Sequence, residues 1–123
     1  MKIAQRLTEL CGAGKFHDAM NELYADNARH VEAMEMPGCP RVIEGKKALL
    51  EKGEKFAKIT KVHSQSCGKP LVNGEQFTCS MSMDITSSEG PMAGQRMTMS
   101  ETCLYTVKNG KITEGKFFYS CGG

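Results

Sequence analysis

From Met97 to Val107 the chain alternates with a period of two. The odd positions are Met97, Met99, Glu101, Cys103, Tyr105 and Val107, and Thr98, Ser100, Thr102, Leu104 and Thr106 lie between them. Successive side chains of a β-strand point to opposite faces, so this is a strand with one apolar face and a single carboxylate at its centre. A carboxylate on an apolar surface is costly unless it is paired, hydrogen-bonded or kept neutral by a raised pKa. The segment therefore demands a sheet with one covered face, and it points to a pocket with an acidic group inside.

A second strand repeats the pattern over residues 75–86, with Phe77, Cys79, Met81, Met83 and Ile85 opposed by Thr78, Ser80, Ser82, Asp84 and Thr86. Residues 60–72 and 111–119 complete a run of four strands. Asn73-Gly74 and Asn109-Gly110 are type I′ hairpin signals at two of the joints, and residues 87–94 form a longer polar loop. Upstream the period changes. Ile3, Leu7, Leu10 and Cys11 share one face of a helix over 2–11, which Gly12-Ala13-Gly14 ends. Phe16, Ala19, Met20, Leu23 and Tyr24 share a face of a second helix, and Ala25-Asp26-Asn27 is its exit. Residues 28–36 read as a strand with His30, Glu32, Met34 and Met36 on one face and Arg29, Val31, Ala33 and Glu35 on the other; periodicity leaves open which face is inward. Pro37-Gly38-Cys39-Pro40 is a loop. Glu44 to Ile59 is a third helix with Ala48, Leu49 and Phe56 on its buried side.

The order predicts an α+β fold in one domain spanning residues 1–123. Three N-terminal helices cover a strongly curved, mainly antiparallel sheet, which can form a cone-shaped pocket with an open end.

The 16 Lys and Arg against 14 Asp and Glu leave a net charge of +2, without the concentrated basic stripe of a nucleic-acid binder. Lys46–Lys61 is interleaved with Glu51 and Glu54 and reads as a solvated helix face. No apolar run is as long as a membrane span, the N-terminus lacks a signal-peptide core, and a cytoplasmic protein is expected. Six cysteines stand at 11, 39, 67, 79, 103 and 121. A cytosolic chain is kept reduced and this one has core enough without staples, so no disulfide framework is expected; none of the cysteines forms a Cys-x-x-Cys pair, so neither a zinc site nor any other metal or cofactor is expected. Cys79 and Cys103 fit as small hydrophobes on strand faces, while Cys39 and Cys121 lie in glycine-containing, exposed segments open to oxidation.

Three strings carry a family resemblance: Tyr24-Ala25-Asp26-Asn27-Ala28, Glu44-Gly45-Lys46-Lys47-Ala48 and Val107-Lys108-Asn109-Gly110-Lys111-Ile112. With the element order they resemble the SnoaL-like branch of the nuclear transport factor 2-like (cystatin-like α+β barrel) superfamily. That superfamily includes polyketide cyclases, steroid isomerases, dehydratases, epoxide hydrolases and non-catalytic binding or assembly domains, so fold does not fix function. The resemblance implies a homodimer. In its steroid isomerases a carboxylate base follows the string that here reads Ala25-Asp26-Asn27-Ala28, and the position falls on Glu32. Their protonated carboxyl on a later strand falls nearest Cys103, with Glu101 two residues earlier on the same face. Their first-helix tyrosine has no counterpart; Leu7 occupies that region, which argues against the isomerase mechanism as such.

The candidate catalytic residues are Glu101, Glu32 and His63. Glu101 is either a proton donor held in an apolar pocket, or a carboxylate that is paired with a Lys or Arg of a neighbouring strand or reaches the rim. If Glu32 faces inward, the two carboxylates push each other's pKa values apart and divide acid and base roles. His63 is either a pocket group that orients a substrate oxygen or a surface residue. His30, Met34, Phe56, Met81, Met83, Met99, Cys103 and Tyr119 are the candidate ligand-lining residues, with Tyr119 at the mouth. The pattern favours a pocket for a small apolar molecule, with isomerisation, cyclisation or dehydration of a carbonyl compound as the chemistry. The alternatives are a lipophilic-ligand carrier and a homodimeric assembly domain.

Overall fold

A computed structural model describes residues 1–35, 40–90 and 93–119. The expected strand end at Met36, the Pro37-Gly38-Cys39 loop, Pro91 and Met92 of the polar loop, and Cys121 lie outside the described residues.

Two helices open the chain. α1 (Lys2–Gly12) buries Ala4, Leu7, Leu10 and Cys11, the apolar stripe of its sequence. Gly14 stops it: its φ of +77° is open to glycine at little cost, the Gly14 N–H donates to the Cys11 carbonyl, and the Lys15 N–H donates to that of Leu10. α2 (Phe16–Leu23) buries Ala19 and Leu23. Arg6 clamps Glu22 with two hydrogen bonds of 2.8 and 3.0 Å, tying α1 to α2.

The chain then enters the sheet directly. β1 (Tyr24–Val31) begins at Tyr24, earlier than the helical stripe predicts, because buried Tyr24 is extended and pairs with Ile112. A short strand β2 (Val42–Glu44), missed in the sequence, pairs antiparallel with β1. α3 (Lys46–Ile59) follows Gly45 and buries Leu49. β3 (Thr60–Cys67), β4 (Leu71–Asn73), β5 (Gln76–Ser87), β6 (Arg96–Lys108) and β7 (Lys111–Phe118) form the rest.

The order across the sheet is β2-β1-β7-β6-β5-β3, with β4 beside β5. β3, β5, β6 and β7 are the expected antiparallel meander, whereas β1 joins β7 in parallel. Asn109 and Gly110 both take positive φ, 53° and 77°, as a type I′ turn requires. The other hairpin is shifted by one residue. Asn73 pairs with Gln76, so its loop is Gly74-Glu75, and there only Gly74 has positive φ.

The inner face of the sheet, toward the helices, carries Phe77, Cys79, Ile85, Cys103, Tyr105 and Ile112, all buried. Toward the far end of β5 and β6 the same face continues as Met81, Met83, Met99 and Glu101, which are only half-buried. Met81 stands opposite Glu101 and Met83 opposite Met99. The apolar face therefore opens toward solvent where the carboxylate stands.

Candidate functional site

Glu32 lies one residue past β1. Its backbone is held by Arg41: the Glu32 N–H donates to the Arg41 carbonyl at 2.8 Å, and Arg41 Nε donates to the Glu32 carbonyl at 3.1 Å. Both carboxylate oxygens are engaged. Lys52 Nζ of α3 lies 2.6 Å from Oε1, and the Tyr119 hydroxyl donates to Oε2 at 3.1 Å. The pair is partly sheltered, with side-chain exposures of 27% for Lys52 and 17% for Glu32.

Glu101 reaches the same neighbourhood from β6. Burial, and then the negative charge of Glu32, raise its pKa above the ordinary glutamate value. The Cys103 thiol, 3.8 Å from Oε1, and the charge of Lys52 act the other way. Among the described residues no cation lies within ion-pair distance of Glu101. The carboxylate paired across the sheet, one of the two sequence readings, is not what the structure has. The site thus joins one ion-paired carboxylate and one carboxyl biased toward its neutral form.

His30 shares the inward face of β1 but is sealed, at 7% exposure. Its Nε2 is 2.6 Å from the Tyr24 hydroxyl, and its ring stands edge-on to Tyr24 and Phe117, with centroids 5.4 and 4.7 Å apart. Burial, helped by the charge of Lys52, pushes its pKa down to about 3. His30 is a neutral core residue behind the site, not a ligand contact.

Three further expectations are corrected. His63 faces the other side of the sheet. A bulge between Val62 and Ser64 turns it outward, where Nε2 lies 2.8 Å from Thr86 Oγ1 and Asp84 is near enough to feel the ring. Met34 is 38% exposed, because β1 ends at Val31 and the alternation does not extend to it. Cys103 is fully buried and packs in the core. Phe56, Met81, Met83, Met99 and Tyr119 are half-buried.

Lys52 is the site residue that sequence reading missed. Its position was legible: Leu49, Lys52, Gly53 and Phe56 share one helical stripe, so Lys52 belongs to the inward flank of a helix read as a solvated face. Its charge is felt by Glu32, Glu101 and His30 alike, which puts it at the centre of the group.

Cys11, Cys67, Cys79 and Cys103 are free thiols. Cys79 stands opposite Cys103 in the sheet, and that neighbour together with burial pushes Cys79 up to about 12. Burial pushes Cys11 to about 12 as well. Neither is a nucleophile near neutral pH. Among the described residues no three His, Cys, Asp or Glu side chains are arranged to hold a metal ion, and no helix is long and apolar enough to cross a membrane.

Comparison with known proteins agrees with this architecture. A SnoaL-like domain profile matches residues 1–119. A proposed SnoaL-like polyketide cyclase from Mesorhizobium loti, also labelled a carbohydrate phosphatase, is 42% identical with a TM-score of 0.87, covering 96% of this chain and 97% of its own. A proposed polyketide cyclase from Pseudomonas putida is 14% identical with a TM-score of 0.74, covering 97% of this chain and 90% of its own. A protein of ketosteroid isomerase-like fold from Catenulispora acidiphila, in complex with trimethylamine, is 12% identical with a TM-score of 0.69, over 97% of this chain and 85% of its own. The latter two likenesses concern the fold alone. No curated protein matches the chain. The profile match over nearly its whole length, with the Mesorhizobium loti relative, makes this chain a member of the SnoaL-like family.

Proposed function

We propose that the protein is a small cytoplasmic enzyme that uses two carboxyl groups on an apolar, carbonyl-containing substrate. Glu32 takes a proton alpha to the carbonyl, and Glu101 in its neutral form donates a hydrogen bond or proton to the carbonyl oxygen. Isomerisation, cyclisation or dehydration follows from where the proton is returned. The observation that carries this reading is Glu101: a half-buried carboxyl, raised by burial and by Glu32, with methionines around it. The SnoaL-like membership, with a cyclase-named relative, favours the same reaction class. The free thiols fit a reducing compartment.

Deuterium uptake from D2O into an enolisable cyclic ketone such as 2-tetralone tests the chemistry. Glu32→Gln and Glu101→Gln should each slow it about 10²-fold or more. Unchanged exchange in both variants ends the proposal.

The engagement of both Glu32 oxygens favours a second reading, a carrier of a lipophilic ligand. A ligand that stabilises the protein and is recovered chemically unchanged selects it. The proposal includes a homodimer. Phe118, 52% exposed on the outer sheet face, stands beside a groove of about 500 Å³ that is lined by Ser80, Ser82, Ser100 and Thr102 and reaches Met81 and Glu101. Light scattering at micromolar concentration should give a dimer mass, and a monomer mass removes this part.

A further inference from the structure

Proton abstraction by Glu32 would leave the site with an electrostatic problem. At rest the Lys52 ammonium and the Glu32 carboxylate neutralise each other at 2.6 Å in a partly sheltered setting. When Glu32 takes a proton, the C–H bond of the substrate breaks and an O–H bond forms on Glu32. The electron pair moves onto the substrate carbonyl oxygen, so the negative charge leaves Glu32 and reappears on an enolate. Lys52 would then face a neutral carboxylic acid. A half-buried cation without a counter-charge is costly, and the nearest new anion is the enolate oxygen.

Resting on the acid/base reading above, we propose that Lys52 is a further catalytic residue: its ammonium leaves Glu32 as the proton is transferred and stabilises the enolate oxygen. The arrangement around it supports this role. Lys52 stands on α3 between Leu49, which is fully buried, and half-buried Phe56, so its long side chain has an apolar flank to move along. Its charge already reaches Glu101, the other group assigned to the carbonyl oxygen. Tyr119 donates to Glu32 but carries no positive charge to balance an oxyanion. His63 is on the opposite face of the sheet, and His30 is sealed against Tyr24. The buried residues of α1 are Ala4, Leu7, Leu10 and Cys11, and burial holds Cys11 as a thiol. The total charge of the site is the same before and after the transfer, so no second proton or ion has to enter it.

The inference separates from the acid/base reading because it concerns an oxyanion and can be read without turnover. The probe is 4-nitrophenol, an apolar ring whose phenolate oxygen carries enolate-like charge and whose two protonation states absorb differently. Binding to the full-length protein is followed by absorbance, with 4-nitrotoluene as a neutral control of similar shape. The wild-type protein should bind the phenolate. Lys52→Met should weaken phenolate binding about ten-fold or more, the scale of a lost hydrogen bond to a charged group, and leave the control unchanged. Glu32→Gln should tighten phenolate binding, because the competing carboxylate is gone. These opposite directions distinguish the role from damage to the fold, which weakens both variants. Lys52→Arg should retain most of the phenolate affinity. Equal phenolate affinity in the wild type and Lys52→Met, no phenolate binding to the wild type, or no tightening in Glu32→Gln each overturns the inference. Ketone exchange that continues while the phenolate affinities stay fixed overturns Lys52 alone. Exchange that is absent from the wild type overturns the acid/base reading, and the catalytic role of Lys52 with it.

Discussion

His30 shows how one side chain couples the site to the stability of the fold. It is held neutral against Tyr24 and Phe117, with its pKa pushed down to about 3 from 6.5. The unfolded chain therefore binds a proton that the folded chain refuses over that interval. The contribution of His30 to stability is fully present above pH 6.5 and is lost as pH falls toward 3, at about 1.4 kcal/mol for each pH unit. By pH 4.5 the loss is on the order of 3 kcal/mol. His30→Gln cannot titrate, but its amide offers both a donor and an acceptor to the Tyr24 hydroxyl. It should be less stable than the wild type at pH 7, by about 0.5–3 kcal/mol, yet lose stability less steeply on acidification. Urea unfolding of both proteins at pH 7, 5.5 and 4.5 measures the two slopes. Parallel slopes would mean that His30 is not the group that takes up the proton.

At the scale of elements, two glycines make opposite demands. Gly53 lies inside α3, and a methyl group there would meet only Met20 Cε, at 3.4 Å, the mobile tip of a flexible side chain. Gly53→Ala should stabilise the protein by about 0.5–1 kcal/mol. Gly115 of β7 is set against the aromatic cluster, where a Cβ would stand 3.0 Å from Tyr105 Cε1, 3.2 Å from His30 Cδ2 and 3.3 Å from Phe117 Cζ. Gly115→Ala should destabilise by about 1–3 kcal/mol, because three packed rings cannot all withdraw. Thermal melts of the two variants should move in opposite directions. The elements themselves were legible where a single period ran without interruption. β5 and β6 appear in the sequence as alternating strands, and the stripe Ala4, Leu7, Leu10 and Cys11 as a helix. They were illegible where pairing overrides pattern. Tyr24 fits the helical stripe of α2 yet belongs to β1, because extension lets it pair with Ile112. β2 has only three residues, too few for any period. The bulge in β3 reverses the facing of His63, and polar residues on both sides of that strand gave no warning of it.

The site shows the same division for the molecule as a whole. Glu101 stood out in the sequence because its own strand made it anomalous, and Glu32 through the family pattern. Lys52 was hidden because a lysine in a lysine-rich helix is ordinary until β1 is placed beside α3, a long-range arrangement that local periodicity does not carry. Together these residues set the pH range in which the whole molecule can work. On the acid side the fold loses stability through His30. On the alkaline side the limit is the proton on Glu101, which burial and the charge of Glu32 retain to higher pH than an ordinary glutamate. Under the acid/base proposal, kcat/KM for ketone exchange should fall as pH rises through the raised Glu101 pKa, with circular dichroism unchanged over the same range. Glu101→Gln keeps a neutral hydrogen-bond donor at every pH. Its residual activity should lack that alkaline limb, while the acid loss persists. An alkaline limb retained in Glu101→Gln would assign the titration to another group and leave Glu101 without the acid role. A limb that disappears would identify this carboxyl as the group whose protonation sets the upper limit of activity.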